Sequence, residues 1–241
     1  MTNKKTCLIG LGIFAIAFIL RLPSLWIPIL DVDEAQFAGF ANALLAGGLP
    51  YVSSVDTKPL GIYWYFAAIF KLFGRNNMMA VHLVTTAWVA LTGLYCAKIA
   101  NTIYNKRSGI FAALFYVIFS TCYIPKFIST SIVVIMMLPL TMSIWHLIRW
   151  EDKNKPISLW LSGIFFGIAC LFKYQAGIII WIVAVYFLLF RPLYLRNSFI
   201  PAKKRAFVVY LLGGTLVGGA FALYITSIGV WNEFVFFRLE G

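Results

Sequence analysis

A short acidic stretch holds most of the residues that could do chemistry. It contains four of the eight Asp and Glu residues of the 241-residue chain, Asp31, Asp33, Glu34 and Asp56, and Lys58 follows the last of them. Crowded carboxylates in a low dielectric favour a protonated or cation-bound state, so they indicate a proton acceptor or a cation site. A divalent cation held by Asp31, Asp33 and Glu34 is one such arrangement. The alternative is a solvated loop in which Asp33 only caps a helix.

Lys173 is the second chemically informative residue. Its ammonium group lies between Phe172 and Tyr174 in an apolar stretch, where a charge is unfavourable unless it faces a cavity or an anion, or extends to a nearby surface. Three more cations are predicted on the same side of the membrane: Lys58, Arg75 and Lys126. Together the four could receive a phosphate group, and a phosphate in a membrane protein suggests a lipid phosphate.

The histidines and cysteines do not form a recognisable metal motif. His82 and His146 are isolated residues near the ends of apolar runs, which is more typical of packed or interfacial histidines than of metal ligands. The four cysteines all lie in apolar runs without C-x-x-C spacing.

The composition identifies an integral membrane protein and excludes a soluble domain. The chain is 62% apolar and 12% charged, with a mean hydropathy of +0.89, and soluble domains carry about 25% charged residues. The net charge of +12 could suggest nucleic acid. However, no basic run exceeds the three residues 203–205, and the cations lie in short gaps between apolar runs, which is the pattern of membrane topology signals.

The apolar runs predict one all-α transmembrane domain, residues 1–241, with about seven transmembrane helices. The first span is expected to remain uncleaved, because no small-residue signal-peptide site follows it. The stretch 156–191 is too long for one span, and we expect a hairpin of two short helices with Lys173 at its tip. The predicted spans are Cys7–Leu25, Asn77–Tyr104, Ile110–Tyr123, Ile128–Trp150, the two helices of the hairpin, and Ala206–Gly229, which is rich in small residues that favour close helix packing.

The outer acidic loop, residues 31–75, is predicted to carry two helices that lie in the membrane interface. The first runs from Asp33, as its cap, to Ala46 and is amphipathic. The second follows Pro59, and its residues Tyr63, Trp64 and Tyr65 suit the headgroup zone. The C-terminal segment WNEFVFFRLEG is expected to be another aromatic, interfacial segment without a further span to pack against.

The basic residues predict the orientation. With the N-terminus in the cytoplasm, 13 of the 20 Lys and Arg residues lie on or near the cytoplasmic side. Six of the eight acidic residues then lie on the other side, so the positive-inside rule places the 31–75 loop outside the cytoplasm.

These residues carry a resemblance to a known family. The chain resembles the N-terminal half of the polyprenyl-phosphate-sugar-dependent glycosyltransferases of the GT-C fold, a group that includes dolichyl-phosphate-mannose protein mannosyltransferases and the aminoarabinose transferase of lipid A. The similar stretches are DVDEAQFAGFANALLAGG, PYVSSVDTKPLGIYWYFAAIFKLFG and LFKYQAG, in the family's order. The Asp-Glu pair and the D-x-K-P element are fairly specific together and weak singly.

The resemblance implies an inverting glycosyltransferase of a bacterial cytoplasmic membrane. It would transfer a sugar from a polyprenyl-phosphate donor to a glycan, lipid or protein acceptor on the non-cytoplasmic face. Asp33 matches the family's catalytic acidic residue and Glu34 its neighbour, while Lys173 matches the lysine that meets the lipid phosphate. Asp56 and Lys58 match the D-x-K-P element of the family. Asp31 and His82 are expected to support the site.

Three departures from the family pattern leave a second interpretation open. Leu60 replaces the second proline of the usual K-P-P, and His82 stands where relatives commonly have arginine. Relatives also continue through more spans, so we expect this chain to be truncated. The alternative is therefore a truncated or degenerate, non-catalytic relative that binds lipid phosphate or a partner. A transporter is a weaker alternative, because only Lys173 fits a charge at mid-membrane.

Overall fold

The computed structural model describes residues 3–53, 58–121, 128–153, 155–179, 182 and 200–239, and confirms the all-α membrane fold. In hydrocarbon every backbone N–H and C=O must be satisfied internally, so apolar runs of this length fold as helices. The helices of these ranges are α1 (Asn3–Trp26), α2 (Val32–Leu45), α3 (Gly61–Phe73), α4 (Met78–Ile103), α5 (Lys106–Phe119), α6 (Ile132–Lys153), α7 (Pro156–Phe172), α8 (Ile200–Ser227) and α9 (Trp231–Leu239), with a 3-10 turn at Tyr174–Gly177.

In the part of the chain that the structure describes, four helices are long and apolar enough to cross a membrane: Leu8–Trp26, Met78–Ile103, Ile132–Glu151 and Arg205–Ser227. Two shorter apolar helices, α3 and α7, accompany them. The second helix of the predicted hairpin lies mostly outside the described residues, so the total of seven spans stays a prediction.

Asparagine caps set two of the helix starts. The Oδ1 atom of Asn77 accepts from the Ala80 N–H at 3.0 Å and begins α4, as the sequence indicates. The Oδ1 atom of Asn105 accepts from the Ser108 N–H, also at 3.0 Å. This second cap begins α5 at Lys106, four residues before the predicted start, so the expected basic gap is partly the first turn of a helix.

The start of α2 corrects the expected role of Asp33 as a cap. Asp31 occupies the N-cap position with an extended backbone, and its carbonyl oxygen accepts from the N–H groups of Glu34 and Ala35. Asp33 therefore lies in the first helical turn, where its side chain is available for other contacts.

Helices α2 and α3 pack on each other and on the bundle. The side chains of Phe37, Ile62 and Phe66 are at most 1% exposed. Tyr63 is buried with its ring 5.9 Å from the ring centre of Phe37, and Tyr65 is buried with its ring 5.5 Å from that of Trp88. The two tyrosines, expected among lipid head groups, instead belong to the protein core.

Two glycines allow α7 and α8 to approach closely. A Cβ atom at Gly163 would overlap the carbonyl oxygen of Tyr210, and one at Gly213 would overlap that of Trp160. The prediction that small residues of the last long helix serve close packing is confirmed at Gly213, whereas Gly218 and Gly219 have nothing within 4 Å of an added Cβ atom.

Helix α9, which the sequence predicts as an interfacial aromatic segment, packs against the outer loop and α8. Gly229, with φ of +73°, forms the turn that reverses the chain after α8. The Phe234 ring then lies 5.6 Å from the rings of both Tyr51 and Phe221. The turn thus brings the aromatic residues of α9 onto the outer loop and α8.

Candidate active site

A cavity of about 730 Å³ lies where the ends of several helices meet. Asp33 comes from α2, Lys58 from the loop before α3, and Lys173 from the break after α7. The fold thus brings together three predicted site residues that are up to 140 positions apart. The remaining lining residues are Pro59, Tyr116, Phe119, Ser120, Ser131, Ile132, Val133, Val134, Met137, Phe172, Tyr174 and Gln175, most of them apolar or aromatic.

Asp33 and Lys58 form an ion pair at the cavity wall. The Lys58 Nζ atom donates to Asp33 Oδ1 at 2.9 Å and to the Gln36 Oε1 atom at 3.0 Å. The ammonium group also lies 4.8 Å from the centre of the Phe37 ring. The Asp33 side chain is 43% exposed, so its carboxylate is paired and still accessible from the cavity.

Lys173 occupies the position that the sequence predicts for it. Helix α7 ends at Phe172, and Lys173 has an extended backbone with φ of −152° before the 3-10 turn. Its side chain is half-buried and lines the cavity. A lysine in an apolar stretch is tolerated when it faces a cavity or an anion, or when it extends to a nearby surface. Lys173 faces a cavity.

Glu34, next to Asp33, is enclosed behind the cavity wall. Its Oε1 atom lies 2.9 Å from His82 Nε2 and accepts from the Thr130 N–H at 2.9 Å, and its Oε2 atom accepts from the Leu30 N–H at 2.9 Å. Burial raises the pKa of this carboxyl group. The hydrogen bond and charge of His82, together with the two backbone N–H groups, lower it by more than burial raises it, so the net pKa is below 4.5. Glu34 is thus held as a buried anion.

His82 connects Glu34 to the end of the first span. Its Nδ1 atom makes a hydrogen bond with the carbonyl oxygen of Ser24, which can only accept, so Nδ1 carries a proton. The second proton lies between Nε2 and Glu34. His82 is expected from the sequence to support the site, and in the structure its ring contacts Glu34 and Ser24.

The comparisons with known proteins identify the family. The family model for dolichyl-phosphate-mannose-protein mannosyltransferase matches residues 57–217, more than half of the chain. The chain belongs to this family. It is therefore a membrane glycosyltransferase of the GT-C type by family. Neither the curated proteins nor the solved structures include a match.

The family match covers only part of the candidate site. Lys58 and Lys173 lie inside the matched segment, whereas Asp33 and Glu34 precede it. Membership in the mannosyltransferase family therefore supports the class of enzyme. The roles of individual residues rest on the geometry of the cavity.

Arg21 is a buried residue near the site that the sequence analysis missed. It lies in α1 with 0% exposure, and its guanidinium nitrogens have no hydrogen-bond partner among the described residues. It interacts electrostatically with Glu34, Tyr65 and Tyr116. A basic residue inside an apolar span is itself a functional signal, and Arg21 lies four residues before Leu25, the predicted end of the first span.

The other predicted site residues lie away from the cavity or outside the described residues. Arg75 donates to the Leu45 carbonyl oxygen at 2.9 Å and so satisfies the end of α2, rather than lining the cavity. Asp31 is the N-cap residue of α2. Asp56 and Lys126 lie outside the described residues.

The described carboxylates do not converge on a metal site. Among the described residues, no three His, Cys, Asp or Glu side chains are arranged to hold a metal ion. Asp33 contacts Lys58, while Glu34 already accepts three hydrogen bonds from the protein. The residues present do not fit a divalent cation at Asp31, Asp33 and Glu34, and no step below involves one.

Proposed function

We propose that the protein transfers a sugar from a polyprenyl-phosphate donor to an acceptor hydroxyl in this cavity, with inversion at the anomeric carbon. The observation that carries the proposal is the shared cavity of Asp33, Lys58 and Lys173. The cavity brings together a carboxylate that can accept a proton and two ammonium groups that can bind a phosphate. The acceptor is a hydroxyl of a glycan, a lipid or a protein.

The reaction requires one displacement. The Asp33 carboxylate accepts the proton of the acceptor hydroxyl as its oxygen bonds to the anomeric carbon. The bond between that carbon and the phosphate oxygen breaks, and the phosphate leaves with the electron pair. Lys58 and Lys173 donate hydrogen bonds to the phosphate as its charge grows. Attack opposite the leaving phosphate inverts the anomeric centre.

The phosphate also changes the environment of the base. In the structure Lys58 donates to Asp33, and an arriving phosphate competes for the same ammonium group. Binding of the donor would weaken the ion pair and leave Asp33 free to accept a proton from the acceptor. The apolar side of the cavity, which includes Phe119, Val133 and Met137, suits the first isoprene units of the donor.

Glu34 and His82 act as positioning residues in this proposal. Their hydrogen bonds tie the first turn of α2 to α4, to Ser24 at the end of α1 and to Thr130 before α6. Because Asp33 is in the same turn as Glu34, the buried pair limits its movement relative to the cavity.

The proposed reaction takes place on the non-cytoplasmic face of an integral, multi-pass membrane protein. The cavity lies at the end of the bundle that the positive-inside rule places outside, and the N-terminus is then cytoplasmic. A bacterial cytoplasmic membrane fits the resemblance in sequence.

Variants of the protein in lipid nanodiscs test the proposal. Release of polyprenyl phosphate is measured from several sugar-charged donors with a membrane extract as acceptor, and donor binding is measured separately. Asp33→Asn should abolish transfer and keep donor binding, because the amide cannot accept the proton. Lys173→Ala should weaken donor binding by about 1.5 to 3 kcal/mol, the value of a charge-assisted hydrogen bond.

Lys71→Ala is the matched control, since Lys71 is an exposed lysine of α3 outside the cavity lining. It should leave both quantities unchanged. Transfer by Asp33→Asn at the parent rate would show that Asp33 is not the base. Equal donor binding by the Lys173→Ala and Lys71→Ala variants would remove Lys173 from the phosphate site.

A further inference from the structure

A second group of cations lies on aromatic rings between α4 and α6. The Lys98 Nζ atom is 4.2 Å from the ring centre of Tyr95 and 4.9 Å from that of Trp145. The Arg149 guanidinium carbon is 5.1 Å from the same Trp145 ring. Two cations from two helices therefore contact the same indole ring. The sugar transfer proposed above does not involve either of them.

This basic aromatic cluster lies at the opposite end of the bundle from the cavity. Helix α6 begins at the cavity with Ile132, and Arg149 follows about 25 Å further along the helix axis. The Tyr95 and Trp145 rings, 5.6 Å apart, join α4 to α6 at that level. The distance is close to the thickness of the hydrocarbon core, so the cluster belongs to the other membrane surface, which the sequence predicts to be cytoplasmic.

Within the described ranges, no carboxylate balances the charges of the cluster. Neither Lys98 nor Arg149 forms an ion pair with a carboxylate in the part of the chain that the structure describes. The two groups are close enough to repel each other, and both interact electrostatically with His146. The Nδ1 atom of His146 is buried without a hydrogen-bond partner among the described residues, and its ring contacts Trp145 and Phe165.

We propose that Lys98 and Arg149 bind the phosphate of an anionic membrane lipid. The Trp145 ring holds both cations near one position through cation–π interactions, which leave their N–H donors available for phosphate oxygens. Lys98 is exposed and Arg149 is half-buried, so an anion can reach both. A phosphate there removes their mutual repulsion.

The position of the cluster favours a lipid over free phosphate. Trp and Tyr rings are typical of the membrane interface, where they contact the glycerol and upper acyl region of a lipid. Basic pockets between membrane helices on the cytoplasmic side bind anionic head groups. The site is distinct from the donor site, because the two lie at opposite ends of α6.

Native mass spectrometry of the detergent-solubilised protein tests the proposal. The protein is titrated with dioleoylphosphatidylglycerol, with zwitterionic dioleoylphosphatidylcholine and with inorganic phosphate. We expect an adduct with the anionic lipid that the zwitterionic lipid does not form and that inorganic phosphate at the same concentration does not displace. In Lys98→Met/Arg149→Met, binding of the anionic lipid should weaken roughly tenfold or more.

The matched control is Lys106→Met/Arg107→Met, which removes two exposed positive charges from the same end of the bundle. Its lipid binding should change by less than about twofold. Lys98→Arg/Arg149→Lys keeps both charges and should retain binding, and an unchanged unfolding temperature shows that each variant folds. Equal weakening by the two methionine pairs would overturn the proposal in favour of diffuse charge attraction. Displacement by inorganic phosphate, or equal binding of the zwitterionic lipid, would overturn the assignment to an anionic lipid.

Discussion

His82 Nε2 lies 2.9 Å from Glu34 Oε1, and both side chains are almost completely buried. This pair joins the start of the acidic loop to α4, 48 residues later in the chain. Its neighbour Asp33 faces the cavity and pairs with Lys58. The adjacent acidic residues of the Asp-Glu motif therefore have different surroundings, one accessible and one enclosed.

Removal of the histidine should destabilise the protein strongly. His82→Leu leaves the Glu34 carboxylate buried with only the Leu30 and Thr130 N–H groups, so the free energy of unfolding should fall by about 3 to 5 kcal/mol. Lys58→Met breaks the partly exposed ion pair with Asp33 and should lower the free energy of unfolding by less than about 1 kcal/mol. Unfolding in mixed micelles with increasing SDS measures both, and similar losses for the two variants would contradict the buried ion pair.

The pH dependence of stability should reveal the ionised Glu34. A carboxyl group whose pKa is lowered in the folded state stabilises that state above the unfolded pKa, and this contribution is lost as the pH falls through the folded pKa. The stability difference between the parent protein and Glu34→Gln should therefore shrink as the pH falls below the ordinary carboxyl value of 4.5. A difference that instead grows as the pH falls below 4.5 would contradict the lowered pKa.

The two glycines between α7 and α8 should tolerate no side chain. Gly163→Ala places a methyl group on the Tyr210 carbonyl oxygen, so the helices must separate, and the expected loss of stability is about 1 to 3 kcal/mol or more. Gly218→Ala, in the partner helix α8, is the control, because nothing lies within 4 Å of its added Cβ atom. It should stabilise the protein by about 0.5 to 1 kcal/mol. Thermal unfolding in detergent distinguishes the two, and a neutral Gly163→Ala would disprove the close contact.

The predicted topology can be checked by labelling from outside the cell. Ser53, in the acidic loop, and Lys155, at the start of α7, are both exposed. In single-cysteine variants on a cysteine-free background, a membrane-impermeant thiol reagent should label Ser53→Cys and not Lys155→Cys. Disruption of the membrane should then make both reactive. Labelling of Lys155→Cys alone in intact cells would invert the orientation.

The sequence by itself determined the membrane class, the helical fold and the approximate helix bounds. These properties follow from local quantities, namely the length of an apolar run and a break such as that at Lys173. Rare charges in an apolar chain are conspicuous, and the sequence indicated Lys58, Arg75, Lys126 and Lys173 as a group, to which the family resemblance added Asp33 and Glu34. Of these residues, Asp33, Lys58 and Lys173 line the cavity.

The tertiary structure alone decided which acidic residue is accessible. Asp33 and Glu34 are adjacent, and successive residues of a helix point about 100° apart, so the packing of α2 against its neighbours selects the one that faces the cavity. No local pattern shows that His82 and the Thr130 N–H group would meet Glu34, or that Arg21 would be enclosed nearby. The two contacts to Glu34 join segments separated by 48 and 96 residues, and they form only when the helices pack. The buried Glu34 carboxylate requires hydrogen-bond partners, and the distant segments supply them.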